Sequence, residues 1–215
     1  LNQNLPNIFT ELRKAGYATS MIGKCHFAPV PYDETKPDRT LPYDDFKEYY
    51  MSLGIDHLEL QDDKQVSVWY YDDYSKELDR AGYLKEYRDC TWNDSLGKVF
   101  PFPGPVQWHP DAWVGDHGAR FIEEVSSGEK PQFTWISFSG PHYPFDAPQE
   151  YYGRVNQDGL PSCRRREGEL EDAARIHHDS YFGGGHIDGC GTAPGHACRN
   201  YTEDYWKRLQ ISYYA

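Results

Sequence analysis

The chain has 215 residues, 38% hydrophobic and 16% aromatic, enough for one sizeable core or a core with a small appendage. Its 22 basic and 34 acidic residues give a formal net charge of -12, a field that repels nucleic acid. No stretch approaches the roughly 20 apolar residues of a membrane span, and five cysteines at irregular spacings, with no CxxC pair, exclude a disulfide framework and leave an isolated Cys190–Cys198 bridge without support.

Residues 4–16 predict a helix with Asn4 as its cap and Pro6 in its first turn. Leu5, Ile8, Phe9 and Leu12 fall at i, i+3, i+4 and i+7, and Gly16 stops it. "YATSMIG" follows as a short buried strand ending at Gly23, which places Lys24 and His26 at its C-terminal end. Residues 29–60 read as a long Pro-, Asp- and Tyr-rich excursion, 72–87 as a polar helix with a Gly-marked turn, and 97–110, with four prolines, as a loop. In 111–125, Trp113, Val114, Phe121, Ile122 and Val125 predict one apolar helical face. "PQFTWISFSG" (131–140) reads as a buried strand, again ending in polar residues at its C-terminal end. A short helix begins in 146–152, 153–200 is long and polar without a period, and 202–215 is helical. This is an α/β layout in which two strand ends carry residues able to converge on one site. The basic run Arg164–Arg166, followed at once by acidic residues, reads as a solvated loop.

Three stretches bear chemistry. On an extended segment Lys24 and His26 point the same way, an ammonium and an imidazole suited to a tetrahedral oxyanion, with Cys25 turned to the core. The plainer alternative is a snorkelling lysine and a loop-capping histidine. A thiol nucleophile at Cys25 assisted by His26 is disfavoured, because neighbours on an extended segment face opposite ways. His142, in "SFSGPHYPFDAP", is held by prolines on both sides; it is a proton or hydrogen-bond donor to a leaving group, or else a structural histidine in a Pro-rich turn. The segment 177–200 holds four histidines and two cysteines, but His186, Cys190, His196 and Cys198 fit no common zinc spacing, so it reads as a pocket-shaping or plain surface loop.

Two motifs in order, Gly16-Tyr17-Ala18-Thr19 with Gly23-Lys24-Cys25-His26, then Pro141-His142-Tyr143-Pro144-Phe145, resemble the sulfatases of the alkaline phosphatase superfamily. "GIDHLEL" (54–60) resembles that family's Gly-Phe-Asp segment, and "WKRLQISYYA" the start of a later helix. The resemblance implies part of an alkaline-phosphatase-like α/β sandwich, with a central mixed sheet flanked by helices, truncated at both ends. It implies one partial catalytic domain over 1–215, in which Lys24 and His26 bind sulfate or the nucleophile and His142 contacts sulfate or the leaving oxygen. It further implies a formylglycine nucleophile made from Cys/Ser-x-Pro-x-Arg, a divalent cation, usually calcium, and a small-molecule or glycan sulfate ester as substrate. No cysteine here starts that motif, and Ser139-Gly140-Pro141 departs from it because Tyr143 stands where Arg should be. The nucleophile and most metal ligands are therefore expected outside this chain, and the fragment alone is expected to be inactive. "GDHG" (115–118) lies within a helical pattern rather than in the family's metal-binding place, so Asp116 and His117 read as surface residues that bind no metal. Two rival functions remain: a phosphate or phosphonate ester hydrolase of the same superfamily, and a non-catalytic module holding sulfated glycans.

Overall fold

The computed structural model describes residues 4–25, 41–42, 44–64, 70–93, 99–183 and 197–215. His26, His186, Cys190 and His196 lie outside the described residues. The chain forms two compact units, one of Leu1–Arg88 with Gly104–His142, the other of Asp89–Pro103 with Tyr143–Ala215. No helix among the described residues is long and apolar enough to cross a membrane.

The first unit is built on a parallel sheet of β1 (Ala18–Gly23), β3 (His57–Leu60) and β5 (Gln132–Ser137), ordered β3-β1-β5. A minor parallel pair joins β2 (Leu41–Pro42) to β4 (Tyr70–Tyr71). Central β1 is buried along nearly its whole length, as a strand with neighbours on both sides requires. Its register sets Gly23 beside Leu60 on one side and Ser137 on the other, so all three strands end at one edge. Gly23 has φ +100°, and a Cβ there would run into the Ser137 carbonyl. Only glycine lets β1 leave the sheet at this point and carry Lys24 outward.

The helices around this sheet follow local signals. Helix α1 (Ile8–Lys14) starts one turn later than its periodicity suggests. Asn7, not Asn4, is the cap, accepting from the amides of Phe9 and Thr10 while Thr10 Oγ1 accepts from the Asn7 amide. Helix α2 (Asp44–Ser52) and strand β3 both fall inside the segment read as an excursion. Helix α3 (Asp73–Arg80) is capped by Asp72 and ends in a turn at Gly82, where α4 (Leu84–Asn93) follows. Helix α5 (Pro110–Val125) has Pro in its first turn, and it buries Trp113, Val114, His117, Gly118 and Phe121. Ile122, expected on that face, is 50% exposed. The true stripe steps 113–114–117–118–121, and Gly118 is in it because Ile136 of β5 packs against its bare Cα. Strand β5 is only half-buried, with Trp135 exposed and Phe138 exposed just beyond it, because it is an outer strand of this described sheet.

In the second unit, short parallel bridges join Val99 to Phe145 and Phe102 to Pro148. Helix α8 (Glu203–Tyr214) clamps them: Arg208 donates to the Val99 carbonyl at 3.2 Å, and Ser212 Oγ to the Phe145 carbonyl at 2.7 Å. Helix α6 (Gln149–Tyr152) joins the same set through Tyr152 OH and Ser212 Oγ at 2.8 Å. Helix α7 (Arg175–Phe182) buries no residue, and Arg164–Arg166 are exposed as expected.

Candidate active site

Parallel strands bring their C-terminal ends to one edge, where connections must leave the sheet and where side chains from distant segments meet. Lys24 leaves β1 there, its amide donating to the Ser137 carbonyl at 2.8 Å. Gln61 to Lys64 leave β3 beside it, the Gln61 amide reaching the Gly23 carbonyl at 3.3 Å. His142 follows β5 through a turn in which its amide donates to the Ser139 carbonyl at 3.0 Å. The peptide bond preceding Pro141 is cis.

The meeting point is Asp63. Lys24 Nζ donates to Asp63 Oδ2 at 2.9 Å, and His142 Nδ1 stands 3.5 Å from Asp63 Oδ1. The second separation is an ion-pair distance rather than a hydrogen bond, and Oδ1 has no hydrogen-bond partner among the described residues. Lys24 and His142, more than a hundred positions apart, thus converge as their strand-end positions suggest. The carboxylate between them was not anticipated. Its side chain is 3% exposed, against 22% for Lys24 and 37% for His142, so the acid lies on the protein side and the two nitrogen bases on the solvent side.

A second carboxylate braces the His142 turn. Asp111, in the first turn of α5, accepts from the Gly140 amide at 2.9 Å and from Ser139 Oγ at 3.5 Å, and lies 3.7 Å from buried Lys64 Nζ. Gly140 approaches so closely that a Cβ would overlap the Asp111 carboxylate. Across the edge the Lys24 ammonium meets the Asp63 carboxylate, which also faces the His142 ring, and Lys64 lies opposite Asp111.

Cys25 is fully buried, and burial followed by the nearby Asp62 charge pushes its thiol far above the ordinary range. A thiolate nucleophile is therefore disfavoured here. Asp62 is also fully buried. Burial first, then the charges of Asp72 and Asp63, push it up to about 7, against the opposing pull of the Cys25 amide and Lys24. Burial also pushes Asp72 up to about 6, although it accepts from the amides of Ser75 and Asp62.

Asp116 is exposed as expected, but His117 is not a surface residue. It is 9% exposed, because helical spacing puts it on the face of Trp113, Val114 and Phe121. Its ring stacks on Trp113 at 3.8 Å, Nδ1 meets Glu59, and Nε2 lies 3.4 Å from Glu77. His57 completes the chain, 2.7 Å from the other Glu59 oxygen. These residues line a cavity of about 370 Å3, whose wall also carries Asp56 and the Lys47–Asp73 pair at 3.1 Å. Among the described residues no group of three or more His, Cys, Asp or Glu side chains is arranged to hold a metal ion.

Burial raises Glu59, but its bonds to His117 and His57 outweigh that and bring it down to about 2. A carboxyl held below its unfolded value of 4.5 contributes stability that is complete above 4.5 and is lost as pH falls towards 2. In Glu59→Gln, thermal unfolding followed by circular dichroism should lose stability less steeply across that acid window than the parent chain. An unchanged slope would show that Glu59 is not ionised in the network.

Comparison with known proteins agrees with this architecture. The family model described as Sulfatase matches residues 1–204. An arylsulfatase of Clostridium perfringens (strain 13 / Type A) is 27% identical over 157 residues, 72% of this chain and 30% of the relative. Among solved structures, the phosphonate monoester hydrolase of Agrobacterium radiobacter superposes with a TM-score of 0.56 at 16% identity, covering 100% of this chain and 41% of its own. The phosphonate monoester hydrolase of Silicibacter pomeroyi gives 0.57 at 18% identity, covering 99% and 41%. The chain thus has the α/β fold of these phosphonate monoester hydrolases and spans less than half the length of each of these relatives.

Proposed function

Because this chain belongs to the Sulfatase family, we propose that Lys24, His26 and His142 form the anion-binding side of a site that hydrolyses sulfate monoesters. The observation that carries the reading is the convergence of Lys24 and His142 on one buried carboxylate at the sheet edge. Sulfuryl transfer spreads negative charge over the non-bridging oxygens and onto the departing oxygen. Fixed cationic and N–H donors lower that barrier because they need no reorganisation when the charge develops. Lys24 is the point charge for a non-bridging oxygen. His142, on a braced turn, contacts the sulfate or gives a proton to the leaving oxygen. His26 joins Lys24 in this reading by its place in Gly23-Lys24-Cys25-His26.

The nucleophile is assigned elsewhere. These 215 residues contain no Cys/Ser-x-Pro-x-Arg, and the buried Cys25 thiol is unsuited to attack. In this reading the formylglycine and the calcium ion belong to segments of the whole protein beyond this sequence. The 215-residue chain by itself is then inactive on esters.

A second reading, a phosphonate or phosphate ester hydrolase, is favoured by the phosphonate monoester hydrolases among the structural neighbours, since a phosphonate oxyanion would meet the same donors. Steady-state kinetics of the whole protein on an aryl sulfate, an aryl phosphonate and an aryl phosphate separate the two, and binding of a sulfated glycan without turnover would favour a non-catalytic module. Within the sulfate reading, His142→Ala should lower kcat/KM by about 100-fold or more for an alkyl sulfate, and by much less for an activated aryl sulfate, whose leaving group needs little proton donation. Equal losses on both would make His142 a sulfate-binding group only.

A further inference from the structure

We propose that Asp63 is a positioning residue for His142: its carboxylate holds the imidazole proton on Nδ1, which leaves Nε2 as the nitrogen that meets the substrate oxygen. The assignment of a substrate oxygen rests on the sulfate-binding reading above, whereas the Asp63–His142 relation stands on geometry alone.

A neutral imidazole carries one N–H, and its tautomer is set by whichever acceptor faces one of the nitrogens. Asp63 Oδ1 is buried, faces His142 Nδ1 at 3.5 Å and has no hydrogen-bond partner among the described residues. A buried carboxylate oxygen without a donor is costly, and an N–H at Nδ1 is the group placed to relieve it. Oδ2 is already engaged by Lys24 at 2.9 Å, which leaves Oδ1 as the oxygen that faces the ring. The backbone that carries the ring is held by a turn whose Gly140 amide and Ser139 hydroxyl are bound to Asp111, itself 3.7 Å from Lys64.

The exposures fit this division of labour. Asp63 is enclosed while His142 is 37% exposed, so an incoming anion reaches the imidazole rather than the carboxylate. With Nδ1 keeping its proton in both charge states, the proton that is gained and released resides on Nε2. A donor to a departing oxygen needs this arrangement, since the proton must be on the nitrogen that faces the bond being broken. The same carboxylate ties Lys24 to His142, so that one side chain registers both proposed anion contacts.

The test is nitrogen NMR of the histidine-labelled 215-residue chain, with His142 assigned by its loss in His142→Gln. At a pH where the ring is neutral, His142 should be the Nδ1–H tautomer. Asp63→Ala should switch it to the Nε2–H form, Asp63→Glu should retain Nδ1–H, and Lys24→Met, which leaves Asp63 in place, should also retain it. An Nε2–H tautomer in the unmodified chain would overturn the proposal without any variant, so a misfolded Asp63→Ala cannot shield it. An unchanged His142 signal in folded Asp63→Ala would overturn it equally. Titration with inorganic sulfate in the same samples separates this inference from the functional reading. A tautomer that follows Asp63 without sulfate binding supports the positioning role and counts against the anion site, and sulfate binding with a tautomer indifferent to Asp63 does the reverse.

Discussion

Lys24→Ala in the whole protein is expected to lower kcat/KM on an aryl sulfate by about 100- to 1,000-fold, the usual cost of removing one preorganised donor to a developing oxyanion. A strand-end lysine contributes little to core packing, which alone would predict unchanged stability. The structure changes that expectation. Lys24 donates to Asp63, whose side chain is 3% exposed, and deleting the lysine leaves that carboxylate without its ammonium. Uncompensated buried charges destabilise by about 3–5 kcal/mol, and the 22% exposure of Lys24 lets water offset part of that here. The two effects separate in the double variant Lys24→Ala/Asp63→Asn. Removing the orphaned charge should return the melting temperature towards that of the parent, while activity stays lost. Recovery of activity together with stability would mean that Lys24 acts only by neutralising Asp63, and its role as an anion contact would fall. Michaelis–Menten kinetics alongside thermal melts of both variants provide the measurement.

Much of the frame is legible in the sequence because its signals are local. "ATSMIG" is an uninterrupted run ended by glycine, and it forms the buried central strand Ala18–Gly23. "DAWVGDHGARFIEEV" has helical spacing, and with Pro110 before it, it forms α5. Strand β3 escaped notice because it has only four residues, His57–Leu60, in a polar context. Its alternation of intermediate and buried positions becomes meaningful only once β1 supplies a partner. The site divides in the same way. Lys24 and His142 stand in motifs that name them, but Asp63 is one of several acidic pairs in a chain of net charge -12, alongside Asp44-Asp45 and Asp72-Asp73. What distinguishes it is a register: it lies three residues past Leu60, which pairs with Gly23 at the edge where Lys24 emerges. That relation is tertiary, and no local pattern encodes it. His117 misleads for the opposite reason. Its neighbours Asp116 and Arg120 are exposed and polar, yet the helical step places it with Trp113 and Phe121, and the partners that make burial tolerable, Glu59 and Glu77, lie on other elements.

Asp62→Asn is expected to stabilise the chain, and the gain should depend on pH in a defined direction. Asp62 is fully buried. Burial and the charges of Asp72 and Asp63 push it up to about 7 from an unfolded value of 3.8. Between those values the folded chain binds more protons than the unfolded one, so the contribution of Asp62 to stability falls as pH rises. Below 3.8 the group is protonated in both states and the penalty is absent; above 7 it is ionised in both and the penalty is complete. A carboxyl held near 7 rather than 3.8 corresponds to roughly 4 kcal/mol, an upper figure because the neighbouring carboxylates readjust when one is neutralised. Asparagine fills nearly the same volume without the charge, so the gain in unfolding free energy should be near zero at pH 4 and largest at pH 8. Urea denaturation of both chains at four or five pH values measures it. Parallel curves across that range would mean that Asp62 is ionised in the folded chain throughout, with Lys24 rather than a proton compensating it. A curve for the variant that rises above the parent's as pH increases would identify Asp62 as a proton held beside the Lys24–Asp63–His142 cluster.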